Sequence, residues 1–139
     1  FDRALFEVHK IVEMEILPVT ALDHDGTAKY SLDQSFPLLS YSKQAYLRNC
    51  VDEAIENKLD YRTLYETDNA GDLKELVLQG LGVAWLPKLL VEREIQENKL
   101  KVLDGKQYYL FQDVYLVKRE MSFSNRINYI WNILIQKNK

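Results

Sequence analysis

Apolar runs of strand length alternate with amphipathic stretches of helical period along most of this chain, and that alternation restricts the fold more than any other feature. Val8 to Leu22 reads as a strand. Val12, Met14 and Ile16 alternate with Glu13 and Glu15, and Leu17-Pro18-Val19-Thr20-Ala21-Leu22 continues as an apolar run. Asp23-His24-Asp25-Gly26 closes it as a turn, where Gly26 is free to take positive φ. Phe36 to Tyr41 is a short apolar strand that leads into a helix, with Ser42 as a candidate N-cap. Leu47, Cys50, Val51 and Ala54 then fall on one buried stripe. Tyr61 to Glu66 predicts another strand. Asp68 or Asn69 can cap the next helix, with Asp68 the better single choice; Leu73, Leu76, Val77 and Gly80 share one of its faces. Gly82 to Pro87 is a buried strand, and Pro87 suits the first turn of a helix reaching about Asn98. Leu100 to Leu103 and Val114 to Val117 read as strands. Ser124 caps a terminal helix with Ile127, Ile130, Trp131 and Leu134 at amphipathic spacing.

The order is therefore β-β-α-β-α-β-α-β-β-α, which argues for an α/β layer fold with a mixed, mostly parallel sheet flanked by helices. In such sheets ligands sit beyond the carboxyl ends of strands, against helix N-termini. Two places fit that rule: Ser40-Tyr41-Ser42 and Thr67-Asp68-Asn69. Both offer hydroxyls or an amide beside uncapped backbone N–H groups, which suits a carboxylate or another small anion. Ordinary helix capping explains the same residues, and the two roles can coexist.

Composition narrows the class. With 139 residues, 47% of them hydrophobic and 12% aromatic, the chain is too apolar for a solvated coil and large enough for one core. No run approaches the roughly 20 apolar residues that span a bilayer. A net charge of −3 with scattered basic residues makes a poor polyanion binder. The lone Cys50 cannot form an internal disulfide, and on the buried stripe of its helix it reads as packing. Phe1-Asp2-Arg3 has neither initiator Met nor signal sequence, and the chain reads as a piece of a longer protein.

Evidence for an enzyme is thin. Gly80-x-Gly82 ends a helix and opens a strand, the reverse of the order a dinucleotide fingerprint needs. His9 and His24 lack ligand-spaced partners, and Asp23-His24-Asp25 reads as a solvated turn; no metal or cofactor is expected. Glu92-Arg93-Glu94 with Glu97 and Lys99 is a solvated helix face. Trp85 and Trp131 read as core or interface aromatics.

One string carries more. Glu75-Leu76-Val77-Leu78-Gln79-Gly80-Leu81-Gly82-Val83-Ala84-Trp85-Leu86-Pro87-Lys88, followed by Leu100-Lys101-Val102-Leu103, resembles the effector-binding domain of LysR-type transcriptional regulators. Leu17 to Ala21 resembles the strand that crosses between the two lobes of that domain. Phe36-Pro37-Leu38-Leu39-Ser40-Tyr41-Ser42 resembles the segment that brings a Ser or Thr to the effector cleft. Order and spacing agree over roughly residues 8 to 117. Within the family, Phe-Pro-Leu-Leu-Ser-Tyr-Ser and Ala-Trp-Leu-Pro look most like the hypochlorite-responsive branch. That branch senses by methionine oxidation, whereas this chain has only Met14 and Met121, and Leu47 and Ala70 occupy the stretches where sensing methionines would stand.

The resemblance implies a fold like the type II periplasmic binding proteins. Residues 1–22 would end the first lobe and form the crossover strand, 23–112 the second lobe, and 113–139 the return strand and a helix belonging to the first lobe. It implies a cytoplasmic ligand sensor that is not an enzyme, with effector contacts at Ser40, Tyr41, Ser42, Thr67, Asp68 and Asn69, and with Pro18 and Thr20 lining the cleft. A small-molecule effector, expected to be anionic, or an oxidant would shift the geometry of a dimer or higher oligomer through its preference for one arrangement. DNA would be bound only through an N-terminal domain outside this chain. The apolar face of Ile127, Ile130, Trp131 and Leu134 is expected at an oligomer interface. Alternatives from other classes are a solute-binding protein of transport with the same fold, and an enzyme lobe such as a prephenate dehydratase-like or deaminase-like domain.

Overall fold

A computed structural model describes residues 6–119, with side chains placed for residues 13–113. The terminal helix with Ile127, Ile130, Trp131 and Leu134, and Met121 beside it, lie outside the described residues. Glu15–Leu110 forms one compact unit; the described residues 6–14 and 111–119 belong to a second.

The elements run β1 (Phe6–Ala21), β2 (Phe36–Tyr41), α1 (Tyr46–Ile55), β3 (Tyr61–Thr67), α2 (Ala70–Leu78), β4 (Ala84–Pro87), α3 (Lys88–Gln96), β5 (Leu100–Val102), a 3-10 turn at Lys106–Tyr108, and β6 (Leu110–Arg119). β1 pairs antiparallel with β4 and with β5. β2 pairs parallel with β3, and a single parallel bridge, Leu38–Val83, joins β2 to the strand on its other side. It follows that β2, β3, β4 and β5 run one way and β1 runs against them. β6 pairs with β1.

α1 packs on β2, α2 on β2, β3 and β4, and α3 on β4 and β5. Their apolar faces and the strands between them form the core. Ile16, Val19, Phe36, Leu38, Leu39, Val51, Ile55, Leu73, Val77, Trp85, Leu86, Val91 and Leu100 are all buried. Cys50 is half-buried; on α1 it is Val51 and Ile55 that reach the interior.

Two capping expectations need correction. Ser42 does not cap α1: its carbonyl accepts the Ala45 N–H at 2.9 Å in a turn, so the helix starts later, at Tyr46. Ala45 takes the N-cap position and has no side chain to offer. On α2 the cap is Asn69, not Asp68. Its Oδ1 accepts the Gly71 N–H at 2.7 Å, one of the orphan donors of the first turn. Asn69→Ala is expected to cost about 1 kcal/mol, read as a fall in the urea midpoint at unchanged slope.

Where α2 ends, Gly80 takes φ +80° and its N–H bonds to the Val77 carbonyl, while the Leu81 N–H bonds to Leu76. This paired closure needs a left-handed residue, which glycine adopts without strain. In β3 the register with β2 slips by one: Leu38 pairs with Thr63 but Leu39 with Tyr65. Leu64 is the extra residue. Because side chains alternate along a strand, that insertion turns Glu66 to the face of Tyr61 and Thr63, and Thr67 to the other. Glu66 accordingly meets Arg48 of α1, and Thr67 meets Asp72 of α2.

Candidate functional site

The carboxyl ends of β2 and β3 lie side by side. Ser40 pairs with Glu66, Tyr41 with Thr67, and the Ser42 N–H donates to the Thr67 carbonyl at 3.0 Å. The two expected clusters are therefore brought together by one ladder.

Ser40 is only 3% exposed, and its Oγ has no hydrogen-bond partner among the described residues. A buried hydroxyl left unpaired is costly and uncommon. Its neighbour Tyr41 is committed elsewhere: the phenol donates to the Trp85 carbonyl at 2.8 Å, and burial pushes its pKa up, so it stays a donor. Thr67 and Asn69 spend their side chains locally. Thr67 Oγ1 accepts the Asn69 N–H at 3.2 Å and donates to Asp72 Oδ2 at 3.3 Å, and Asn69 caps α2. Asp68 is exposed.

On the crossover strand, Pro18 pairs with Trp85 and its carbonyl accepts the Leu103 N–H at 2.9 Å. Thr20 is fully buried, its hydroxyl 3.5 Å from the Gly82 carbonyl. Trp85 in turn donates its indole N–H to Tyr108 at 2.9 Å. These contacts tie β1, β2 and β4 together beneath the ends of the strands.

The two helix N-termini at this edge differ in what they can accept. α2 is closed by Asn69 and carries Asp72 in its first turn. α1 has no side-chain cap and no acidic residue in its first turn; the Arg48 N–H turns back to the Ala45 carbonyl at 3.1 Å, and no side chain of the helix's own first turn offsets its dipole.

Sequence reading passed over Arg48. Its Nη1 donates to the Tyr41 carbonyl at 2.9 Å and to Glu66 Oε2 at 2.6 Å, while Nε sits 2.9 Å from Asp52 Oδ2. Burial alone would lower the pKa of Arg48, but the hydrogen bonds to Glu66 and Asp52 outweigh it and hold the guanidinium charged. The i,i+4 spacing of Arg48 and Asp52 was legible; Glu66, eighteen residues on, was not.

Two cavities open elsewhere in the same unit. One of about 260 Å³ is lined by Asp23, His24, Lys29 and the end of α2. The other, about 270 Å³, lies between residues 27–33 and Lys101–Asp104. No group of His, Cys, Asp or Glu that could hold a metal is found among the described residues, and no described helix is long and apolar enough to cross a membrane.

The LysR substrate binding domain matches residues 2–137, nearly the whole chain. This chain belongs to that family. The LysR domain shares 33% identity over 105 residues with the HTH-type transcriptional regulator YjiE of Escherichia coli, an alignment covering 73% of this chain and 35% of the relative. The bromide-bound regulatory domain of HypT from Salmonella typhimurium is 26% identical, with a TM-score of 0.77 over 99% of this chain and 69% of that one. In its full-length structure HypT is described as a hypochlorite-specific LysR-type transcriptional regulator. DarR of Vibrio fischeri, solved in complex with DNA, is 26% identical, with a TM-score of 0.80 over 97% of this chain and 48% of that one.

The fold is thus that of type II periplasmic-binding-protein-like regulatory domains, and the relatives are transcriptional regulators, not enzymes. The chain spans between a third and a half of the length of the curated relatives it matches, at 35% and 43%.

Proposed function

We propose that this LysR domain is the sensing part of a cytoplasmic transcriptional regulator, and that its effector is a small anion received at the opening of α1. The carrying observation is Ser40, a hydroxyl 3% exposed and without a partner, one strand-end away from an uncapped helix N-terminus. Ser42 stands in the turn between them. A hydroxyl donor and the dipole of a helix start without a side-chain cap together favour a negative charge. Thr67, Asp68 and Asn69 form the adjoining rim, Pro18 and Thr20 the floor, and Tyr41 holds the frame. That HypT, at 26% identity, has been solved with bromide bound supports a small anion as the ligand.

In this reading residues 23–112 are the second lobe of a two-lobed domain, and 113–139 return to the first. The helix bearing Ile127, Ile130, Trp131 and Leu134 serves an oligomer interface. Binding favours one arrangement of the oligomer, which acts on DNA through a separate N-terminal domain. A hypochlorite response like that described for HypT is the finer proposal, with Met14 and Met121 as the available oxidisable methionines.

Ser40→Ala in the full-length regulator separates the two roles of that hydroxyl. Removing an unsatisfied buried group should leave stability unchanged or raise it by up to about 1 kcal/mol. Bromide affinity, measured by titration calorimetry, should fall by about tenfold, since a charge-assisted hydrogen bond is lost. Acetate run in parallel tests small carboxylates. Unchanged affinity for both anions in Ser40→Ala would remove Ser40 from the site.

A further inference from the structure

The anion site proposed above needs the first turn of α1 to stand at a fixed height over the end of β2, and nothing in a cap does this: Ala45 makes no side-chain hydrogen bond. One side chain spans the gap. Arg48 sits in that first turn, and its Nη1 reaches both the Tyr41 carbonyl, at 2.9 Å, and Glu66 Oε2, at 2.6 Å. Its Nε is anchored on Asp52, one turn further along α1. The guanidinium therefore joins three elements: its own helix, the residue after Ser40 on β2, and the residue paired with Ser40 on β3.

Glu66 is in reach only because Leu64 is inserted in β3, which turns Glu66 onto the α1 face. Arg48 is also mostly covered, with 17% of its side chain exposed, so it is held in the structure and not splayed in solvent. Its positive charge is already met by Asp52 and Glu66. What it contributes is geometry.

We infer that Arg48 is a positioning residue for effector binding: its fork, set by Asp52 and Glu66, fixes the opening of α1 against Ser40. This rests on the site reading given above. A lysine keeps the charge but has no planar fork to bridge a carbonyl and a carboxylate at once, so charge and geometry can be separated.

The experiment compares full-length wild type, Arg48→Lys, Arg48→Gln and the milder Glu66→Gln, which keeps an acceptor. Two readouts are taken on each. Amide exchange of the 42–50 segment needs no ligand; it should rise at least about tenfold in both Arg48 variants and less in Glu66→Gln, while exchange in α2 and α3 stays at the wild-type level. Bromide affinity should fall about tenfold in both Arg48 variants, lysine giving no rescue. Wild-type exchange at 42–50 in Arg48→Gln overturns the clamp, and so does a wild-type bromide affinity in Arg48→Lys. A uniform rise in exchange over the whole chain overturns it too, marking a merely structural residue. If the wild type binds no bromide or acetate, the site reading falls; the exchange comparison still decides whether Arg48 fixes α1.

Discussion

Replacing Gly82 with alanine should destabilise the domain by about 3 kcal/mol, the upper range for forced overpacking. A Cβ built at Gly82 stands 2.6 Å from the Pro37 carbonyl oxygen and 3.1 Å from Leu39 Cγ. The first of these is backbone and cannot swing aside. It is held, moreover, because Pro37 accepts the Val83 N–H at 2.9 Å while Leu39 donates to the Val83 carbonyl at 2.8 Å. These two bonds join β2 to the strand beside it. Relieving the clash means opening that joint, and with it the alignment of Ser40 on β2 with Trp85 on β4. Urea unfolding followed by circular dichroism measures the loss; a midpoint within error of wild type would show that the two strands are not packed as described.

Trp85→Ala should cost more, about 4 kcal/mol. The indole is among the largest fully buried side chains, tilted against Phe36 with ring centroids 6.4 Å apart. It also donates to the carbonyl of Tyr108, a half-buried residue, which would be left without that donor. A single domain is stable by roughly 5–15 kcal/mol in all, so this variant should melt well below wild type. Trp85→Phe separates the two contributions. It keeps most of the ring volume and loses the hydrogen bond, and about 1–2 kcal/mol is expected. Equal losses in both variants would place the whole effect in the bond to Tyr108.

The strands were legible where burial writes itself into composition. β1, β2 and β4 carry apolar runs, and the chain places them within a residue or two of where the runs predict. The helix starts were less so. Ser42 has the right chemistry for a cap, yet its carbonyl is drawn into a turn with Ala45, and a competition between two local bonds leaves no mark on residue type. Arg48 was invisible for a different reason. Its role depends on Glu66, and Glu66 faces it only through the one-residue slip at Leu64, a register detail that no periodicity reports. Ser40 could be singled out from the resemblance and from its place at a strand end. That its hydroxyl is buried and unmatched is a property of three-dimensional packing alone.

The inserted Leu64 has a colloidal consequence as well. β3 borders the sheet, pairs only with β2 in the described ladders, and exposes Leu64 and Tyr65 to solvent. A straight seven-residue strand with such side chains would be a template on which other chains could stack into fibrils. The extra residue interrupts the even spacing of donors and acceptors along that border, so an incoming strand can match only part of it. An irregularity of this kind is one of the ways an exposed sheet border is kept from pairing with other chains.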